Sequence, residues 1–198
     1  MEDINHALFL WLNAPEQPSP FLLAIATLFA KYVIWTIPAL VGFGWLRGSE
    51  CNRRRLLEAT GAGLVALLIS HIIGWAWPQP RPFMIGIGHT FMAHAPDASF
   101  PSDHLTLLWS VAFSLLRHPA WRIAGWVVTL LGVPVAWARI YLGVHFPLDI
   151  VGAAMVAVLG AVLAHRAEPL YLSTAYRLAH NAHHIVFGKL IEMGWVRK

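Results

Sequence analysis

Charge is scarce in this sequence. Its 198 residues hold 14 lysines and arginines and 10 aspartates and glutamates, only 12% charged, where a soluble domain carries about a quarter. Apolar residues make up 58%, and the mean hydropathy is +0.59. Such a chain has too little polar surface to cover itself in water, which excludes a soluble globular domain and predicts a polytopic membrane protein. Cysteine is nearly absent. Cys51, alone in a polar loop, excludes an intramolecular disulfide framework and a cysteine-based zinc site. There is no internal repeat and no low-complexity segment. The start of the chain lacks the positive residues and small-residue cleavage site of a signal peptide. The net charge of +4 comes from residues placed between apolar runs, which is a topology signal and excludes a nucleic-acid-binding stripe.

What is there is a series of apolar runs. Residues Met1 to Asn13 place apolar side chains at helical spacing behind Glu2 and Asp3, too short to cross a bilayer, and predict a short interfacial amphipathic helix. Ala14 to Pro20, with three prolines, predicts a turn. Five spans of close to the ~20 residues a bilayer requires follow: Phe21 to Leu46, interrupted by Lys31 and Pro38; Leu56 to Trp77; Leu105 to Leu116 with its flanks, long enough only if its helix starts at about Ser102; Trp121 to Ala138; and Phe146 to Ala164. From Tyr171 to Lys198 basic and apolar residues mix, predicting a basic amphipathic tail at an anionic membrane surface. The expected organisation is an all-α membrane helix bundle over residues 1–167, with a cytoplasmic tail over 168–198.

Five spans fix alternating sides. One side receives Arg47, Arg53, Arg54, Arg55, Arg117, Arg122, Arg166 and the tail; the other receives Arg81 and Arg139 with most of the acidic residues. The positive-inside rule makes the first side cytoplasmic and puts the N-terminus outside. Arg81 and Arg139 stand against that trend, and both have histidines nearby.

The stretch Arg139 to Asp149 concentrates chemistry between two apolar runs. If a helix starts near Phe146, His145 and Asp149 share a face and can hydrogen-bond. A carboxylate on one ring nitrogen fixes the tautomer and leaves the other nitrogen as base or nucleophile. Arg139 offers a forked donor suited to phosphate oxygens. Taken alone, the three residues could equally cap two helix ends. The second outer loop, Pro78 to Pro101, and its end add Arg81, Ser102 and His104. Together these residues have the makings of a phosphoryl-transfer site: two arginines for the oxygens, an oriented histidine, and a second histidine to protonate a leaving oxygen.

Pro80-Arg81-Pro82, Phe100-Pro101-Ser102-Asp103-His104, and Arg139 with His145 and Asp149 resemble the three signature motifs of the type 2 phosphatidic acid phosphatase superfamily: Lys-x6-Arg-Pro, Pro-Ser-Gly-His and Ser-Arg-x5-His-x3-Asp. Gly74, Asp103 and Ala138 depart from the pattern, replacing its lysine, glycine and serine. These departures, and Gly88-His89 shortly after Phe83, resemble the bacterial undecaprenyl-diphosphatase branch. The resemblance implies that His145 attacks phosphorus with Asp149 holding its far nitrogen. It further implies that His104 protonates the leaving oxygen and then activates water, while Arg81, Arg139 and Ser102 bind the phosphoryl oxygens. It implies no metal or other cofactor, and a polyprenyl diphosphate substrate, undecaprenyl diphosphate first, with phosphatidylglycerophosphate, phosphatidate or phosphate transfer to a lipid as alternatives. A lipid-phosphate binding or transport protein is the alternative outside enzymes.

Further residues carry expectations of their own. Lys31 either snorkels to the interface or replaces the missing lysine, the latter only if the first span begins near Phe29. His89 is a candidate contact for the diphosphate, whereas His94 is expected to be solvated. His71 is expected to make a packing hydrogen bond. His180, His183 and His184 are expected to be ordinary residues of an exposed tail. Nothing in the sequence bears on oligomeric state.

Overall fold

A computed structural model describes residues 2–197, all-helical apart from turns and loops. α1 (Glu2–Leu12) is the short N-terminal helix, with Glu2 and Asp3 in its first turn, where carboxylates complement the helix dipole. α2 (Pro20–Tyr32) and α3 (Thr36–Arg47) form one path joined by a 3-10 turn at Val33–Trp35. The tightened turn falls just before Pro38, which cannot donate its share of the ladder. α4 (Glu50–Ala76) starts at Ser49, whose hydroxyl accepts from the Asn52 N–H at 3.4 Å.

α5 (Asp103–Leu116) begins at the expected place, with Ser102 at its N-cap. Its 14 residues reach only about 21 Å. It is nonetheless the central helix: Leu105, Leu108, Val111, Ala112 and Leu115 are all buried, packed among α4, α6 (Arg122–Tyr141) and α7. The 77–102 loop leads into its short end and buries Arg81, Pro82, Met92, Ser99 and Ser102. α7 (Pro147–Glu192) runs 46 residues without a break, about 69 Å, more than twice the ~30 Å hydrocarbon core. The amphipathic tail is therefore the distal part of α7. It stays on the bundle: His183 is buried against Trp45 and Arg53, and Arg53 donates to the Arg197 carbonyl at 2.6 Å.

α4 and α7 approach closely because small residues face each other. A Cβ at Gly160 would lie 2.6 Å from that of Ala66, and Ala62, Ala161 and Ala164 continue the seam. The outward face is apolar, with Leu64, Leu68, Ile123, Val133, Met155 and Val158 all exposed. Among the described residues, four helical segments are long and apolar enough to cross a membrane, and α5 is a shorter apolar helix. This is a multi-pass membrane bundle.

Candidate functional site

The site is built at the end of α6. There the chain turns through Gly143 at φ +78°, a conformation that favours glycine; any Cβ would also collide with the His89 carbonyl. The Val144 N–H returns to the Arg139 carbonyl at 3.1 Å, which folds His145 back over the helix end. Pro147 then opens α7 at its first position, and Asp149 at the third reaches back to the Phe146 N–H at 2.7 Å.

The same Asp149 oxygen lies 3.2 Å from His145 Nδ1 and accepts the Ser99 hydroxyl at 2.5 Å. With Nδ1–H directed to Asp149, the Nε2 lone pair is left free. Two guanidinium groups face it: Arg81 Nη1 at 3.2 Å and Arg139 Nη2 at 3.3 Å. His145, Asp149, Arg81 and Arg139 are all buried. Burial, then the charges of Arg139 and Arg81, hold the His145 pKa well below its usual value, so the ring stays a neutral nucleophile.

Arg81 is fixed from three sides. It donates to the Val144 carbonyl at 3.0 Å, the Ala98 carbonyl at 3.1 Å and Asp97 at 2.8 Å. Burial works to raise the Asp97 pKa, but the bond and charge of Arg81 outweigh it and hold the carboxyl below its usual range. Ser102 is fully buried with its hydroxyl unpartnered; it makes no cap bond to α5, leaving both hydroxyl and first-turn N–H groups for an anion. His104, in that first turn, is half-buried and makes no hydrogen bond among the described residues. Its charged and titratable neighbours are Arg139, His145, His94 and Arg81. A cleft of about 450 Å³ opens beside Asp149, lined by Trp77, Pro80, Ile85, Phe100, Phe146 and Leu148 among others.

Residues 55–173 match the family model of the PAP2 superfamily. The chain belongs to this superfamily. Curated PAP2 relatives include "Putative undecaprenyl-diphosphatase YbjG" of Escherichia coli, 34% identical over all of this chain and 99% of that one. Undecaprenyl-diphosphatase BcrC of Bacillus subtilis is 30% identical over 84% of this chain and 86% of its own. Among solved structures, Aquifex aeolicus LpxE shares the fold at a TM-score of 0.64 and 22% identity, covering 82% of this chain and 95% of that chain.

Within this PAP2 site the departures at 74 and 103 meet. Gly74 and Asp103 line one cavity of about 210 Å³, together with Ser70, His71 and Asp97. Asp103 accepts the Ser70 hydroxyl at 2.6 Å, so its carboxylate turns toward α4, which eases the repulsion expected beside an anion. His71 spends its Nδ1 on the Leu67 carbonyl at 2.8 Å.

Two candidate contacts lie apart from the cluster. Lys31 is exposed on α2, whose path starts at Pro20, not at Phe29, and it makes no hydrogen bond or ion pair among the described residues. Lys31→Met should therefore leave KM for the lipid unchanged; a clear rise would return Lys31 to the phosphate. The His89 side chain is exposed, and its backbone is what the fold uses. Asn13 accepts the His89 N–H at 2.7 Å and donates to the carbonyls of His89 and Tyr141 at 2.9 and 3.1 Å.

His94, expected in solvent, is instead half-buried with Nε2 3.1 Å from Arg139 Nη2. Burial lowers its pKa, and Arg81 and Arg139 lower it further. Sequence reasoning also missed Ser99 and both asparagines of the first helical segment. Asn5 accepts the Leu148 N–H at 3.0 Å, so α1 and the residue after it grip the turn on both sides of His145.

Proposed function

We propose that this PAP2 protein is a membrane-embedded lipid diphosphate phosphatase that hydrolyses undecaprenyl diphosphate to the monophosphate. The observation that carries the reading is His145, with one ring nitrogen held by Asp149 and the other faced by two buried arginines. The printed names of the YbjG and BcrC relatives support the diphosphate substrate. The apolar cleft beside Asp149 suits an isoprenoid stem.

In this reading Arg81 and Arg139 clamp the terminal phosphoryl oxygens, and Ser102 donates to a third. His145 Nε2 attacks phosphorus, and the bond to the bridging oxygen breaks. His104 protonates the departing lipid monophosphate. The same residue then takes a proton from water, which displaces His145 and releases inorganic phosphate. Charge at the site is supplied by guanidinium groups. One Asp149 oxygen is engaged by Ser99, the Phe146 N–H and His145, so that carboxylate serves to orient the ring. The site faces the periplasm and the C-terminus the cytoplasm, a placement supported by Arg47, Arg53–Arg55, Arg117 and Arg122 at the opposite end.

The test is phosphate release by purified protein in detergent with excess chelator, offering undecaprenyl diphosphate, phosphatidylglycerophosphate and phosphatidate side by side. Release should persist and be fastest with the diphosphate. A faster monoester would move the substrate class. Loss of release that added metal restores at low temperature would sink the metal-free mechanism. Silence with all three lipids would favour a binder or a transferase.

A further inference from the structure

At the other end of the bundle lies a second polar cluster that the phosphatase chemistry does not use. Glu58 on α4 is fully buried, about 28 Å along that helix from Trp77. One of its oxygens is 2.9 Å from His118 Nε2, in the turn after α5, and the other is 2.9 Å from His165 Nδ1 on α7. Glu168, one turn along α7, brings a second carboxylate oxygen to 3.7 Å from that same Nδ1. A neutral imidazole nitrogen carries at most one hydrogen, so it cannot donate to two carboxylates.

The positive charge at hand does not resolve this. Arg55 reaches both Glu58 and Glu168, but at 3.4 Å each and from a side chain that is 34% exposed. Charge-assisted bonds normally close to about 2.7–2.9 Å. The Tyr171 hydroxyl, buried against Gly61, has no partner. Two carboxylates, one of them fully buried, therefore converge on one imidazole nitrogen, and the guanidinium at hand lies 3.4 Å from each.

We propose that Glu58, His165 and Glu168 bind a transition-metal dication, Zn²⁺ by preference, while His118 holds the other Glu58 oxygen. It would tie α4 and α7 together at the end remote from His145. The geometry is close to what the ion needs. Zn–N and Zn–O bonds near 2.0–2.1 Å place tetrahedral ligand atoms about 3.3 Å apart. The observed separations of 2.9 and 3.7 Å at His165 bracket that value, and the atoms from Glu58, His165 and Glu168 all lie within 4.8 Å of one another. Mixed imidazole and carboxylate donors suit zinc; magnesium and calcium take oxygen alone. Zn²⁺ would neutralise the two carboxylates and free Arg55 to turn outward. His165 would then use its Nδ1 lone pair on the metal and keep Nε2–H for solvent.

The proposal stands apart from the reaction at His145 and is tested by binding. Full-length protein purified without a histidine tag, stripped by chelator and titrated with Zn²⁺, should take up one saturable equivalent. Co²⁺ should give the visible absorption of a tetrahedral nitrogen–oxygen site, and Zn²⁺ should raise the thermal midpoint. Glu168→Gln and His165→Gln should each weaken binding by about tenfold or more. The paired His180→Gln and His184→Gln change in the distal helix should not. Elution as a single folded species qualifies each variant, and both side chains are partly exposed, which spares the core. Absence of saturable uptake, or uptake that survives Glu168→Gln and disappears with His180 and His184, would overturn the proposal.

Discussion

His145→Ala should reduce phosphate release by roughly 10⁴-fold or more, because removing a nucleophile leaves only binding and charge stabilisation. Arg81 remains held by Val144, Ala98 and Asp97 through bonds that do not pass through the imidazole, and Arg139 keeps its contact with His94. Lipid binding should therefore survive while turnover is lost, a split that separates the nucleophile from a residue that merely shapes the pocket. In the parent protein, rapid acid-free quenching should trap an alkali-stable phosphoprotein that the variant lacks. A variant retaining a tenth of the parent rate would rule out attack by this residue. The side chain is almost fully buried, so elution and thermal midpoint must accompany the kinetics.

Asp149→Asn should lower turnover by about 10³-fold with little change in KM. One carboxylate oxygen takes three donors: Ser99, the Phe146 N–H and the His145 ring. When Nε2 bonds to phosphorus the imidazole becomes cationic, and the carboxylate opposite Nδ1–H stabilises that charge. An amide cannot. If its nitrogen turns toward His145 it also drives the ring proton onto Nε2, the atom that must attack. The start of α7 should persist, because an amide oxygen can still accept the Phe146 N–H. Loss confined to KM, with turnover intact, would assign Asp149 to binding instead.

Much of this site was legible because its residues are close in sequence. The four-residue step from His145 to Asp149, the proline that opens a helix between them, and Ser102 as a helix start are local signals, and local physics realises them. Ser99, His94, Asn5 and Asn13 were not legible for the opposite reason. Each acts on partners from 45 to 143 residues away, and no periodicity marks a side chain whose role is set by long-range folding. Lys31 shows the converse: a cation in an apolar run left snorkelling and phosphate contact both open, and its exposure on α2 accords with snorkelling. The distal part of α7 was read as a tail because hydropathy reports bilayer depth. The seam with α4, set by Arg53 and His183, is what continues the helix.

The asparagine grip on the His145 turn bears on how the protein matures. Asn5 and Asn13 leave the ribosome first, while Tyr141 and Leu148, which they hold, emerge after four apolar segments have been threaded into the bilayer. The reactive turn thus gains these restraints only after Leu148, some three quarters of the way along the chain, has emerged. A partly inserted or truncated product carries the arginines and histidines without the clasp that orders them. Competence is tied to completed topogenesis, and a stalled intermediate is left without an ordered centre.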